Sequence, residues 1–272
     1  MDTQDLLALA IEVAVEAGDY AYAVKTGDLV IDSKTNEMDL VTQVDKRNET
    51  VIRDKVLARY PNHEFLGEEM GASGAAGNSA AADSLPQGRV RWIVDPVDGT
   101  VNFAHGLPIW CVSVGVEVDG VVECGAIYNP NLRELFTAHR GKGAFLNGKQ
   151  IYVSKQINPK KALFVTGFPY NVDENPDQVI EQFEKFLRRG LLVRRLGSAA
   201  LDLAYVASGR FDGFFEGGLS PWDSAAGQLL VREAGGKVTH YDGLPYDIYR
   251  KSVVATNVFQ HETILNILSS EH

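Results

Sequence analysis

The chain has 272 residues, 45% of them hydrophobic, and a formal net charge of -10. That is enough apolar material for one large α/β unit or two closely packed halves, and too much for general disorder. The negative charge disfavours an electrostatic grip on nucleic acid or an anionic membrane, and an acidic protein that handles anions needs bound cations to invert its local field.

The opening Met1-Asp2-Thr3-Gln4-Asp5 has neither the basic region of a signal peptide nor the apolar stretch of a membrane span, so a soluble cytoplasmic protein is expected. Cys111 and Cys124 lie in apolar runs and read as small buried hydrophobes in a reducing compartment. Leu6, Leu7, Ala10, Val13, Ala14 and Ala17 recur at helical spacing, with Thr3 or Asp5 able to cap the start and Gly18 marking an end or a close contact. Asp45 precedes a second helical pattern through Val51, Ile52, Val56 and Leu57 that stops before Pro61, which makes it a candidate N-cap.

Glu64-Phe65-Leu66 reads as a strand followed by Gly67-Glu68-Glu69, one glutamate continuing the inward direction and the other facing away. The stretch from Gly71 to Gly88 is rich in Ala, Gly and Ser, and reads as a poorly ordered excursion that can serve as a flap. Trp110 to Val118 and Val121 to Tyr128 form a hairpin around Asp119-Gly120. Glu134 to Ala138 and Ala144 to Val153 extend the meander, with Gly141, Gly143 and Asn147-Gly148 at turns.

The second half alternates: strand Leu163 to Val165, helix Val179 to Arg189, strand Leu192 to Leu196, helix Ala199 to Ala207, strand Gly213 to Glu216 and helix Pro221 to Ala234. Strands at Lys237 to His240 and Val253 to Ala255 and a helix from His261 to Leu268 complete it. A meander followed by alternation predicts layered sheets with helices between and outside, divided into halves 1–153 and 154–272 that pack as one unit.

Chemistry concentrates at Asp95-Pro96-Val97-Asp98-Gly99-Thr100, which closes the apolar run from Val90 to Val94. Pro96 cannot donate to a sheet ladder, so the strand is expected to stop there and turn, aiming both carboxylates at one spot. Crowded oxygens suit a hard divalent cation; the plain alternative is an Asp-Gly turn with Asx geometry. An EF-hand does not fit, because Gly106 stands where the twelfth-position Glu belongs. Trp222-Asp223 likewise has two readings: a capping box with Ser220 at N-cap and Pro221 at N1, or a carboxylate ligand on a rigid helix start.

Five ordered motifs decide between these readings. Trp92 to Phe103 closely resembles the first signature of the inositol monophosphatase family, and Trp222 to Gly227, continuing through Glu233-Ala234-Gly235-Gly236, resembles the second. Asp39 to Thr42 with Asp45, Gly67-Glu68-Glu69, and Gly197-Ser198-Ala199-Ala200 match three further family stretches over nearly the whole chain.

The resemblance implies a five-layer αβαβα sandwich, with an antiparallel N-terminal sheet and a mixed C-terminal sheet, and Mg2+-dependent, lithium-sensitive phosphomonoesterase chemistry. It assigns Glu68, Asp95 and the Val97 carbonyl to one Mg2+, Asp95, Asp98 and Asp223 to a second, and Glu68 through water to a third. Thr100 paired with Asp45 is implied to orient the attacking water, with Glu68, Thr100 and Asp45 as the catalytic group. Asp98, the Gly99 and Thr100 amides, Ala199 and Glu216 are the implied substrate contacts.

The expected partner is a small phosphorylated polyol or sugar, inositol 1-phosphate first. Fructose 1,6-bisphosphate, 3'-phosphoadenosine nucleotides, histidinol phosphate and NADP(H) are alternatives on the same metal core. Ser220 stands where animal members carry a histidine near the inositol ring. A homodimer is implied, with no membrane and no nucleic-acid partner expected. A different class, a non-catalytic regulator of transcription or RNA, rests on the Arg188-Arg189 and Arg194-Arg195 pairs alone.

Overall fold

The computed structural model describes residues 2–24, 29–34, 39–74, 88–169, 172–174 and 176–270. Helix α1 (Thr3–Ala23) is capped by Asp2, whose carboxylate accepts from the Gln4 amide at 2.9 Å, so the cap lies one residue before Thr3. Gly18 lies inside α1 at a close contact: a Cβ there would stand 2.5 Å from Cδ1 of Tyr128. Strands β1 (Ile31–Ser33) and β2 (Leu40–Thr42) pair as an antiparallel ribbon too short to leave a periodicity in the sequence.

Helix α2 (Gln43–Arg59) ends before Pro61, and its N-cap is Thr42. Asp45 stands at N3 and completes a capping box with Thr42, which corrects its reading as the cap itself.

The first sheet is built from β3 (Glu64–Gly67), β4 (Gly71–Gly74), β5 (Val90–Asp98), β6 (Cys111–Val118), β7 (Val121–Asn129), β8 (Glu134–His139), β9 (Gly143–Leu146) and β10 (Lys149–Ile151). Their order is β10-β9-β8-β7-β6-β5-β3-β4. Asp119 and Gly120 both have positive φ at the β6–β7 hairpin, as a two-residue turn that matches strand twist requires.

All neighbours are antiparallel except β3 and β5, so the antiparallel sheet expected here is corrected at one pair. The 68–89 connection is long enough for the crossover that parallel pairing needs. Residues 71–74 are strand, which corrects the start of the expected excursion; residues 75–87 lie outside the described residues.

The second half contains β11 (Leu163–Thr166), α4 (Pro176–Arg188), β12 (Leu192–Arg194), α5 (Ala199–Ala207), β13 (Gly213–Gly217), α6 (Pro221–Glu233), β14 (Lys237–Thr239), β15 (Ser252–Thr256) and α7 (His261–Ser269), after a short α3 (Thr100–Ala104) in the first half. The second sheet runs β12-β11-β13-β15-β14, parallel as far as β13 and antiparallel beyond, the mixed sheet expected.

Five layers result: α1 and α2 outside the first sheet, α5 and α6 between the sheets, and α4 and α7 outside the second. The central apolar cluster joins Ile93, Ile127 and Phe136 of the first sheet to Leu203 and Leu229 of the middle helices and Phe214 and Val253 of the second sheet. Helix α6 approaches the first sheet through glycines: a Cβ on Gly115 would lie 2.8 Å from that of Ala225, and one on Gly125 would lie 2.9 Å from that of Ala226. Cys111 and Cys124 are buried free thiols, as the sequence suggests. Among the described residues, no helix is long and apolar enough to cross a membrane.

Candidate active site

The acidic residues of β5 are delivered by a bulge. The strand expected to stop at Pro96 continues to Asp98, because pairing with β6 shifts between Asp95 opposite Ser113 and Asp98 opposite Cys111. A bulge is one of the places a sheet tolerates a residue without an N–H, so Pro96 bends the strand without ending it. The Val97 amide then donates to Asp95 Oδ1 at 3.0 Å. Gly99 follows with φ +99, a left-handed backbone, and a Cβ there would meet the Ile109 carbonyl at 2.9 Å. Only glycine fits both demands.

Three carboxylates from distant parts of the chain meet at this point. Ligand oxygens of Asp95, Asp98 and Asp223 all lie within 4.8 Å of one another. Each is held from behind: Asp95 by the Val97 amide, Asp98 by the Ser198 hydroxyl and the Ala200 amide at 2.7 Å each, and Asp223 by the Ser220 amide at 2.6 Å. Asp223 is both the acidic member of the α6 capping box and a member of the cluster, so its two readings are compatible.

Burial pushes all three carboxyls up, and in Asp95 and Asp223 repulsion from neighbouring acids adds to it; Asp223 rises to about 7. Hydrogen bonds from Ser198 and Ala200 pull Asp98 back in part.

Glu68 approaches from the end of β3 but lies outside this trio. Its Oε1 accepts from the Lys34 ammonium at 2.7 Å, and the same ammonium stands 2.5 Å from Glu69 Oε1. Both glutamates therefore turn to one lysine, which corrects the expectation that one faces away. Burial pushes Glu68 up to about 8 against the pull of Lys34, and its Oε2 is buried without a hydrogen-bond partner.

Thr100 and Asp45 meet as the motifs imply. The Thr100 hydroxyl stands 3.0 Å from Asp45 Oδ1 and 3.0 Å from the Val97 carbonyl, all of them buried. Asp45 is fixed in turn by the Thr42 amide at 3.0 Å and by the Thr42 hydroxyl. Glu216, at the end of β13, and Ala199, at the start of α5, line with Asp98 and Asp223 a cavity of about 500 Å³. Gly167 leaves room for Glu216, since a Cβ there would overlap its Oε2 in this arrangement.

Three residues escape the sequence reading. Lys34 sits in a ribbon with no periodic signal. Glu49 lies on the buried face of α2 with Ile52 and Val56, and its carboxylate accepts from the Glu69 and Met70 amides at 2.7 and 2.8 Å, fixing the turn that carries Glu68. Asp202 is a buried acid on the cavity wall, in a helix otherwise made of alanine, leucine, valine and tyrosine. A charge at an apolar helical position is the available signal for the last two.

The donor set suits a hard cation. Clustered carboxylates whose charged forms are penalised by burial and mutual repulsion are relieved by a divalent ion, and Mg2+ prefers such oxygens. The buried, unpartnered Oε2 of Glu68 is a further oxygen of the same chemistry.

Comparison with known proteins gives a consistent result. A model of the inositol monophosphatase family matches residues 2–272. The chain is similar to the inositol-1-monophosphatase of Synechocystis sp., 38% identical over 99% of this chain and 90% of that protein. It is also similar to the Nus factor SuhB of Salmonella typhimurium, 42% identical over 93% of this chain and 91% of the relative. Among solved structures, the extragenic suppressor protein suhB of Bartonella henselae superposes with a TM-score of 0.87 and 36% identity, covering 98% of this chain and 100% of its own.

Proposed function

Because the chain belongs to the inositol monophosphatase family, we propose that it is a Mg2+-dependent phosphomonoesterase of small polyol or sugar phosphates, with inositol 1-phosphate the first candidate. The observation that carries this reading is the meeting of Asp95, Asp98 and Asp223 within 4.8 Å. Glu68, Asp95 and the Val97 carbonyl would hold one ion, Asp95, Asp98 and Asp223 a second, and Glu68 a third through water. Bound Mg2+ supplies Lewis-acid polarisation of phosphoryl oxygens and lowers the pKa of water.

The protein's own part is positioning. Asp45 fixes the Thr100 hydroxyl, which orients the attacking water; Asp98 has its carboxylate locked by α5, so it presents a fixed face to ligand. The Gly99 and Thr100 amides, the Ala199 backbone and Glu216 complete the substrate contacts in this reading. It takes the chain as a cytoplasmic homodimer whose halves, 1–153 and 154–272, work as one unit. The same reading makes the activity lithium-sensitive.

The test is phosphate release from inositol 1-phosphate, fructose 1,6-bisphosphate, histidinol phosphate, 3'-phosphoadenosine nucleotides and NADP(H) with Mg2+. Asp95→Asn lowers the rate on the order of 10²-fold or more, a loss of the size seen when a preorganised electrostatic group is removed. Unchanged turnover in Asp95→Asn contradicts the assignment.

A second reading, a regulator of transcription or RNA, draws on the Nus factor relative. Of its basic residues, Arg188 pairs with Glu184, and Arg189 donates to the Lys185 carbonyl and the Ser270 hydroxyl. Salt-dependent RNA binding retained by Asp95→Asn favours this second role; absence of such binding removes it.

A further inference from the structure

Asp202 lies in the first turn of α5 and is 1% exposed, and neither of its carboxyl oxygens has a hydrogen-bond partner among the described residues. Buried polar atoms are paired in the great majority of cases, so two orphaned oxygens on one side chain call for a ligand, a water or a functional role.

Helix capping does not supply the explanation. The Ser198 hydroxyl and the Ala200 amide, donors at the start of α5, are both taken by Asp98. An ion pair does not supply it either. Arg195 lies with its guanidinium 5.5 Å from the centroid of the Phe168 ring and lowers Asp202's proton affinity only as a distant charge.

The position of Asp202 is informative. It lines the cavity of about 500 Å³ from α5, while Glu216 lines it from β13, and the charge of Glu216 adds to burial in raising the proton affinity of Asp202. Asp98 and Asp223 mark the cluster on the same lining, and Arg195 is its only lysine or arginine among the described residues. A wall of this kind is rich in hydrogen-bond acceptor oxygens and poor in cationic partners, so the group that satisfies it brings donors rather than a second anion.

We propose that Asp202 is a specificity residue of the alcohol side of this cavity, acting with Glu216 to recognise a donor-rich leaving group, either neighbouring hydroxyls of a polyol or an ammonium. The proposal rests on the phosphatase reading and deepens it: an ester whose leaving group carries a second phosphate on that side is a poor substrate.

The experiment compares wild type with Asp202→Asn on inositol 1-phosphate, histidinol phosphate, fructose 1,6-bisphosphate and the featureless ester 4-nitrophenyl phosphate, all with Mg2+. Asp202→Asn raises KM for the polyol monophosphate about tenfold, more than it lowers kcat, and the preference for that ester over 4-nitrophenyl phosphate falls by the same factor. Loss of preference confined to histidinol phosphate identifies the donor as an ammonium. A preference unchanged within twofold for both donor-rich esters overturns the proposal, as does a wild-type preference for the bisphosphate.

If wild type releases no phosphate from any ester, the phosphatase reading has failed on its own. Calorimetric titration with inositol 1-phosphate in Ca2+, another hard-oxygen cation, then reads the subsite without turnover. Weaker binding by Asp202→Asn supports the assignment and equal binding overturns it. Asp202→Ser replaces the asparagine variant if that variant melts early.

Discussion

Glu68 and Asp223 carry their proton affinities far from the ordinary carboxylate range, to about 8 and about 7, because burial strips water from the charged form and neighbouring acids repel it. The sign of the linkage follows. A carboxyl raised in the folded state contributes stability that is fully present below its ordinary value near 4 and is lost as pH rises through the folded value. In EDTA the melting temperature therefore falls between pH 6.5 and pH 8.5, by at least about 4 °C, equivalent to about 1 to 2 kcal/mol for a chain of this size. The window avoids the buried His261, which burial depresses to about 4. Asp95→Asn flattens the fall and added Mg2+ opposes it, since the metal competes with protons for the same oxygens. A metal-free melting temperature that holds or rises over this range contradicts the electrostatic picture. At this scale Asp95, Asp98, Asp223, Thr100 and Asp45 were singled out by the family resemblance of their motifs, since local pattern alone left an Asx turn or a helix cap equally open, and the structure groups the first three and pairs the last two. Lys34 and Glu49 were not, since their roles come from contacts to residues 34–35 and 20–21 positions along the chain.

The cluster depends on how closely α6 lies on the first sheet. Gly115 of β6 faces Ala225 and Gly125 of β7 faces Ala226, two and three residues beyond Asp223, so helix position and ligand position are set by the same contacts. Gly115→Val overpacks this layer; destabilisation of about 1 to 3 kcal/mol is expected, with a larger proportional loss of activity than Val121→Ala, which trims an exposed side chain at the start of β7. Thermal melts and Mg2+-dependent rates measured on both variants check this, and equal rates in the two would dissociate helix packing from the site. Elements long enough to show a period, such as α1, α6, β6 and β7, were readable directly. Pro96 was misread because local φ restriction and the missing donor predict a strand end, whereas the β6 partner absorbs it as a bulge. The parallel pairing of β3 with β5 was equally invisible, being a property of sheet order rather than of either segment.

For the whole molecule, a net charge of -10 and a buried cluster of acids pull in the same direction: the folded chain gathers acidic groups whose charge a bound cation would compensate. Five layers bring Asp95 and Asp98 from one sheet together with Asp223 from a middle helix, and set Glu216 of the other sheet on the cavity that Asp98 and Asp223 line, so the site reports on the packing of the entire chain. Mg2+ at about 100 times its dissociation constant should stabilise the fold by about 2.7 kcal/mol, a concentration-dependent shift that differential scanning fluorimetry can follow. The most direct test of the central claim is Mg2+-dependent release of inorganic phosphate from inositol 1-phosphate and its alternatives by wild type and Asp223→Asn. The account predicts turnover by wild type that EDTA abolishes, with a loss on the order of 10²-fold or more in the variant; equal turnover by the two proteins, or by wild type with and without metal, would contradict it.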